Sequence, residues 1–210
     1  MIRILLADDH VLFREGLKQI LGKHKELRVL DEAGSGTEAL EKIYSKRYDV
    51  VILDITMPGR SGLDILGEIR KEHPDLPVLI LSMHPEDQYA VRVLRAGAAG
   101  YLTKESAASE LITAIHKVAS GGRYISPSVA ERLADAVKIN HQEAPHHALS
   151  NREYQVMRML ASGKTLKEIA EDLFLSEKTI TTYRARILEK MNLRNNVDLS
   201  HYAIEHHLLD

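Results

Sequence analysis

Three carboxylates and one amine fall at matching places along the chain. Asp8-Asp9 closes the apolar run Ile2 to Ala7, Asp54 closes Val50-Val51-Ile52-Leu53, and Lys104 closes Gly100-Tyr101-Leu102-Thr103. If these runs are strands of one parallel sheet, all four side chains arrive at one edge, where neighbouring strands lie about 5 Å apart. Carboxylates that close repel one another and at neutral pH need a cation. An oxygen-only set suits Mg2+, which keeps several waters and takes one or two carboxylates beside phosphate oxygens. A carboxylate flanked by Mg2+ and an ammonium can attack a phosphoryl group, because both cations neutralise charge on the transferring oxygens.

The elements that must position these groups are legible as alternating periods. Apolar runs at Ile2 to Ala7, Arg28 to Ala33, Val50 to Leu53, Val78 to Ser82 and Gly100 to Thr103 are separated by segments of helical spacing, such as Leu63-Leu66-Ile69 and Leu111-Ile112-Ile115-Val118. Five strands alternating with five helices predict an α/β fold with a five-stranded doubly wound parallel sheet, flavodoxin-like, over residues 1–124. Such sheets bind ligands at the carboxyl ends of their strands. The all-apolar run at Val50 fits a central strand covered on both faces. Gly121-Gly122 stops the last helix. Residues 125–147 read as a linker helix from Ile125 to Ile139, opened by Ser126-Pro127, and a polar, Pro-containing linker from Asn140 to His147.

From residue 148 to 210 the β pattern is gone. Ser150-Asn151-Arg152-Glu153 and Thr165-Leu166-Lys167-Glu168 are capping boxes, opening helices to about Ala161 and Leu173. Phe174-Leu175-Ser176 forms a turn, Ser176 caps a helix to about Asn192, and a last helix spans Asn196 to about Glu205. This is a small all-α domain with a helix-turn-helix. Ile180 and Ile187 form its inward stripe. Lys178, Thr181, Thr182, Ala185 and Arg186 lie opposite, with Lys190 further on. Short polar and methyl-bearing groups there can approach base edges, and the flanking cations can hold phosphates.

The order Asp-Asp, then Asp-x-x-Met-Pro-Gly, then Ser82, then Lys104 resembles the receiver domain of two-component response regulators. The stretches Leu149-Ser150-x-Arg152-Glu153, Glu168-Ile169-Ala170, Leu175-Ser176 and Lys178-Thr179-Ile180 resemble the LuxR-type DNA-binding domain. Together they describe the NarL/FixJ subfamily. The resemblance implies that Asp54 is the phosphoacceptor, with Mg2+ held by Asp9 directly, Asp8 through water, Asp54 and the Thr56 backbone carbonyl. It implies that Ser82 and Lys104 bind the phosphoryl group and that Tyr101 is a switch whose rotamer follows Ser82. It makes a histidine kinase the donor and double-stranded DNA with two-fold half-sites the target. It also implies a homodimer when phosphorylated, with Leu199, Tyr202, Ala203 and Ile204 of the last helix helping DNA-bound domains to pair. One departure stands out: Glu105 follows Lys104 where receivers commonly have a cis proline, and the sequence leaves that bond either cis or trans.

Composition narrows the alternatives. The chain has 210 residues, 44% hydrophobic and 28% charged, with a net charge of -2. No apolar run nears the roughly 18 residues needed to cross a bilayer, so no membrane is expected. Cysteine is absent and the N-terminal run is too short for a signal peptide, which makes a cytoplasmic location the expectation. Charge is local: Lys178 to Arg194 carries Lys178, Arg184, Arg186, Lys190 and Arg194 against the single acid Glu189. Of the eleven histidines, the linker set His141, His146 and His147 and the C-terminal set His201, His206 and His207 read as solvated, and His10, next to Asp9, reads as lying at the rim of the site without being a ligand. A turnover phosphatase of the haloacid-dehalogenase kind needs a second Asp two residues after the nucleophile. Thr56 stands there, so the chain reads as no enzyme but a switch that holds a phosphoryl group. A dinucleotide fold fails for want of G-x-G-x-x-G after the first strand.

Overall fold

A computed structural model of the chain describes residues 1–106, 108–131, 144–206, 208 and 209. The chain divides into two compact units, Met1–Val137 and Lys138–Asp210.

The first unit alternates β1 (Ile2–Ala7), α1 (Val11–Leu21), β2 (Leu27–Ala33), α2 (Gly36–Ser45), β3 (Val50–Leu53), α3 (Gly62–Glu72), β4 (Val78–Ser82), α4 (Glu86–Arg95), β5 (Gly100–Thr103) and α5 (Ala108–Ala119). The five strands form one parallel sheet in the order β2-β1-β3-β4-β5. Every residue of β3 and β4 is buried, as their uninterrupted apolar runs require. Ile4, Leu6, Val50, Ile52, Leu79 and Leu81 pack with Leu111, Ile115 and Val118 of α5 on one face. The strand order reverses between β1 and β3, and sheets of this kind bind ligands in the crevice at the carboxyl edge at that point.

Register decides what meets in the crevice. Ala7 of β1 lies beside Leu53 of β3, so the next residues out, Asp8 and Asp54, leave the sheet side by side. Ser82 of β4 pairs with Thr103 of β5, and the Lys104 N–H donates to the Ser82 carbonyl at 2.8 Å. The Lys104–Glu105 bond is trans, as is every peptide bond among the described residues, so Lys104 reaches the site without a cis bond.

The expected boundary at residue 124 lies too early. The Tyr124 N–H donates to the Ala99 carbonyl at 2.8 Å, its hydroxyl donates to Glu110, and Val129 is buried. A helix starts at Pro127, capped by Ser126, and the rest of the expected linker helix falls outside the described residues. These residues stay with the first unit because Tyr124 and Val129 have apolar surface to cover.

In the second unit a 3-10 turn (Pro145–Ala148) precedes α6 (Asn151–Ala161), α7 (Leu166–Asp172), α8 (Glu177–Lys190) and α9 (Asn196–Glu205). Both capping boxes form with their reciprocal hydrogen bonds. Phe174 turns the chain between α7 and α8 with a positive φ of 53°. Val156, Met157, Ile169, Ile180, Ile187, Leu199 and Ala203 make the core.

Candidate functional site

Asp8 and Asp54 are each 2% exposed. The Lys104 ammonium sits between them, 2.6 Å from Asp8 Oδ2 and 2.8 Å from Asp54 Oδ2, with its own side chain 3% exposed. The ring of Phe13 lies under the same ammonium, 4.7 Å from centroid to Nζ. Burial works against Lys104's charge, but Asp54 and Asp8 outweigh it and hold the ammonium above its ordinary range. Burial pushes Asp54 the other way, up to about 6, with Lys104 opposing the shift and Asp8 adding to it. The Thr56 N–H donates to Asp54 Oδ1 at 3.2 Å.

The loop after β3 is held by close backbone approach. The Gly62 N–H donates to the Ile55 carbonyl at 2.9 Å, and a Cβ on Gly62 would stand 1.9 Å from the Asp54 carbonyl oxygen. Only glycine fits there, so α3 begins directly against the residue it positions. Across the crevice Ser82 is fully buried and its Oγ accepts from the His84 N–H at 3.3 Å. Tyr101 is buried too, and its hydroxyl donates to the His84 carbonyl at 2.7 Å. The His84 ring stacks on Tyr89 and its Nε2 lies 3.1 Å from Thr56 Oγ1.

The donor set fits a hard divalent cation. One ligand atom from each of Asp8, Asp9, His10 and Asp54 lies within 4.8 Å of the others. Asp9 Oδ1 is shut off from solvent without a hydrogen-bond partner, an arrangement costly for a carboxylate oxygen unless a cation satisfies it. Asp8, Asp9 and Asp54 can hold Mg2+.

On the helical unit, α8 presents Lys178, Thr181, Thr182, Ala185 and Arg186 on one exposed face. Their spacing repeats at three and four residues, which is one side of a helix. The Thr181 and Thr182 hydroxyls donate to the carbonyls of Glu177 and Lys178, at 2.9 and 3.0 Å. Among the described residues neither Lys178 nor Arg186 has an ion-pair partner.

Comparison with known proteins decides the family. The response regulator receiver domain matches residues 4–116, and the luxR family of bacterial regulatory proteins matches residues 147–203. Response regulator UvrY of Escherichia coli (strain K12) is 40% identical over 209 residues, covering 99% of this chain and 96% of its own. Response regulator GacA of Pseudomonas viridiflava is 39% identical over 211 residues, covering 100% and 99%. Among solved structures, RcsB from Salmonella enterica serovar Typhimurium, bound to promoter P1flhDC with the phosphomimetic BeF3-, is 26% identical. It superposes with a TM-score of 0.60 over 96% of this chain and 97% of its own. The chain belongs to the response regulators, with a receiver and a LuxR-type helix-turn-helix domain.

Within this response regulator the structure brings Asp8, Asp9, Asp54, Thr56 and Lys104 into one site, with Ser82 and Tyr101 adjoining it through His84. It separates the residues expected at the DNA face. Lys190 donates to Glu153 Oε2 at 2.6 Å, so its charge is answered inside the domain, and Arg184 bonds the Asn196 side chain. The expected pairing surface needs correction. Leu199 and Ala203 are 0% exposed, packed in the domain's own core, and cannot touch a partner. Tyr202 is half-buried and its hydroxyl lies 2.8 Å from His146 Nδ1. Of the expected residues Ile204 is exposed, at 64%, and α9 also exposes Val197, at 68%. His146 is likewise not simply solvated: it packs among Tyr154, Tyr202 and His206. His141 and His207 fall outside the described residues.

Four groups were missed in the sequence. Arg14 donates to the Asp8 carbonyl and to Glu32, bracing the first acidic pair from α1. Phe13 and Gly62 act only through contact, and His84 through its bridge to Thr56. Gly62 alone left a signal, as a glycine opening a helix shortly after Met57-Pro58-Gly59.

Proposed function

We propose that this response regulator is switched by transfer of a phosphoryl group to Asp54 from the phosphohistidine of a histidine kinase. The supporting observation is a buried carboxylate at the β1/β3 switch point, flanked by Asp8 and by the Lys104 ammonium. An Asp54 oxygen forms the new P–O bond as the donor's P–N bond breaks and its imidazole leaves. Asp8, Asp9, Asp54 and the Thr56 carbonyl would hold Mg2+, which when bound would supply charge neutralisation on the phosphoryl oxygens. Lys104 takes another of those oxygens. Ser82 offers its hydroxyl to a third, and Tyr101 follows by giving up the His84 carbonyl, which shifts a two-state equilibrium.

The output is DNA binding by α8, with Lys178 and Arg186 on phosphates and Thr181, Thr182 and Ala185 at base edges. RcsB, a structural relative, is bound to promoter DNA. Two copies on two-fold related half-sites form the working dimer, in the cytoplasm, where promoter DNA is found. The chain is a switch and not a turnover catalyst, because Thr56 stands where a hydrolase of this chemistry needs an acid.

Incubation with Mg2+ and acetyl phosphate is expected to add one phosphoryl mass to the wild type and none to Asp54→Asn. Labelling that persists in the variant overturns the assignment, and steady-state turnover of a phosphate monoester overturns the switch. DNase footprinting with and without the phosphodonor is expected to show stronger, paired half-site protection after phosphorylation.

A further inference from the structure

We propose that Phe13 is a positioning residue for phosphotransfer: the face of its ring holds the Lys104 ammonium while that group passes from the Asp54 carboxylate to an oxygen of the incoming phosphoryl group. The inference rests on the reading of Asp54 as phosphoacceptor and deepens it.

Phe13 reaches the site from the first turn of α1. With Leu17 and Leu21 it forms one stripe at four-residue spacing, and its ring packs against the core of the sheet. The neighbouring Arg14 donates to the Asp8 carbonyl and to Glu32, which ties this turn of the helix to the ends of β1 and β2. The ring therefore stands on a fixed support. Its face lies toward Lys104, 4.7 Å from centroid to Nζ. An ammonium has three donors. Asp8 Oδ2 at 2.6 Å and Asp54 Oδ2 at 2.8 Å take two, and among the described residues the face of Phe13 is the remaining partner. With the Lys104 side chain 3% exposed, water does not compete for that place.

Phosphorylation changes what the ammonium must face. An Asp54 oxygen bonds phosphorus as the donor's bond to phosphorus breaks, and negative charge moves outward onto the phosphoryl oxygens. Lys104 has to leave Asp54 Oδ2 to meet one of them. A third oxygen acceptor would hold it at one hydrogen-bond angle and compete with the phosphoryl group for its protons. The ring quadrupole attracts the ammonium without a fixed angle and carries no net charge to repel the phosphoryl oxygens. The cation can shift across the ring and stay partnered.

Fluorination separates the electrostatics of the ring from its volume, because each fluorine draws density from the face and leaves the shape nearly unchanged. The chain has two phenylalanines, and the other, Phe174, lies in the helical unit. Biosynthetic incorporation of mono-, di- and trifluorophenylalanine thus alters the first unit at residue 13 alone. In the full-length protein with Mg2+ and acetyl phosphate, the rate of Asp54 labelling, read by intact mass, is expected to fall with each fluorine, by about three- to tenfold at the trifluoro ring. Phe13→Leu is expected to lose about tenfold, and Phe13→Tyr, which keeps the aromatic face, to stay within about twofold of the wild type. A flat fluorine series, an unchanged rate in Phe13→Leu, or a Phe13→Tyr as slow as Phe13→Leu overturns the proposal and leaves the ring a packing role. The contact itself is read in the metal-free protein by NMR. The ring current is expected to move the Lys104 methylene protons next to Nζ upfield, and Phe13→Leu to abolish that shift; a wild type without it overturns the contact. A wild type that takes no phosphoryl group on Asp54 sinks the phosphoacceptor reading and the transfer role together, whereas a labelled wild type with a flat series sinks the role of Phe13 alone.

Discussion

At neutral pH Asp54 carries its charge inside the protein, against a burial that moves its pKa up to about 6. A carboxylate with a folded pKa above its unfolded value favours the folded state when protonated, so that contribution is lost as pH rises from about 4 to 6. Removing the charge should therefore stabilise the metal-free protein. In chelator at pH 7.5, Asp54→Asn is expected to raise the stability of the first unit by roughly 1–3 kcal/mol. Adding Mg2+ should then raise the melting temperature of the wild type more than that of the variant. A variant that melts lower than the wild type in chelator would contradict this account. Gly62 acts in the opposite sense. With a Cβ placed 1.9 Å from the Asp54 carbonyl oxygen, Gly62→Ala is expected to cost about 3 kcal/mol or more, readable as a lower urea midpoint. Asp54 was legible in the sequence because a charged residue ending an all-apolar strand is costly to place there without use. Phe13 and His84 were not, because a ring under an ammonium leaves no periodic trace.

Among the elements, α6 and α8 are joined by a buried acid. Glu153 is 3% exposed, and burial alone would raise its pKa; Lys190 and the Ser150 N–H outweigh it and hold the carboxyl below its ordinary range. A depressed carboxylate contributes stability above its unfolded pKa and loses it as pH falls below about 4.5. Lys190→Met removes the counter-charge, so the helical unit is expected to unfold in acid at a pH higher by roughly half a unit to one unit. Circular dichroism during acid titration of the full-length protein reads this directly. An unchanged acid transition would mean that the Ser150 cap alone carries Glu153. The helices themselves were readable to within a residue or two, since capping boxes and apolar stripes are local. The pairing of Lys190 with Glu153 was not, because thirty-seven residues separate them and only the packed bundle brings them together.

For the whole molecule, the same pairing predicts how DNA binding responds to salt. Each phosphate neutralised by a protein cation adds about 0.9 to the slope of log affinity against log salt. Arg186→Ala is expected to lower the slope by about that amount, because its guanidinium has no ion-pair partner among the described residues. Lys190→Met is expected to leave the slope unchanged, since Glu153 already answers its charge. Fluorescence anisotropy on one duplex across a salt series distinguishes the two, and equal losses would return Lys190 to the DNA face.

The sequence by itself determined the alternation of strands and helices, the residues at the strand ends and the helix caps. All three follow from periodicity and hydrogen bonding within a few positions. It also carried the chemistry, because carboxylates and an ammonium keep their character wherever the chain takes them. The tertiary structure decided which of those residues meet. The register of β1 on β3 set Asp8 beside Asp54, and the core of the helical unit drew in Leu199 and Ala203. An apolar side chain suits a core and an interface equally in one dimension, and only packing in three chooses between them.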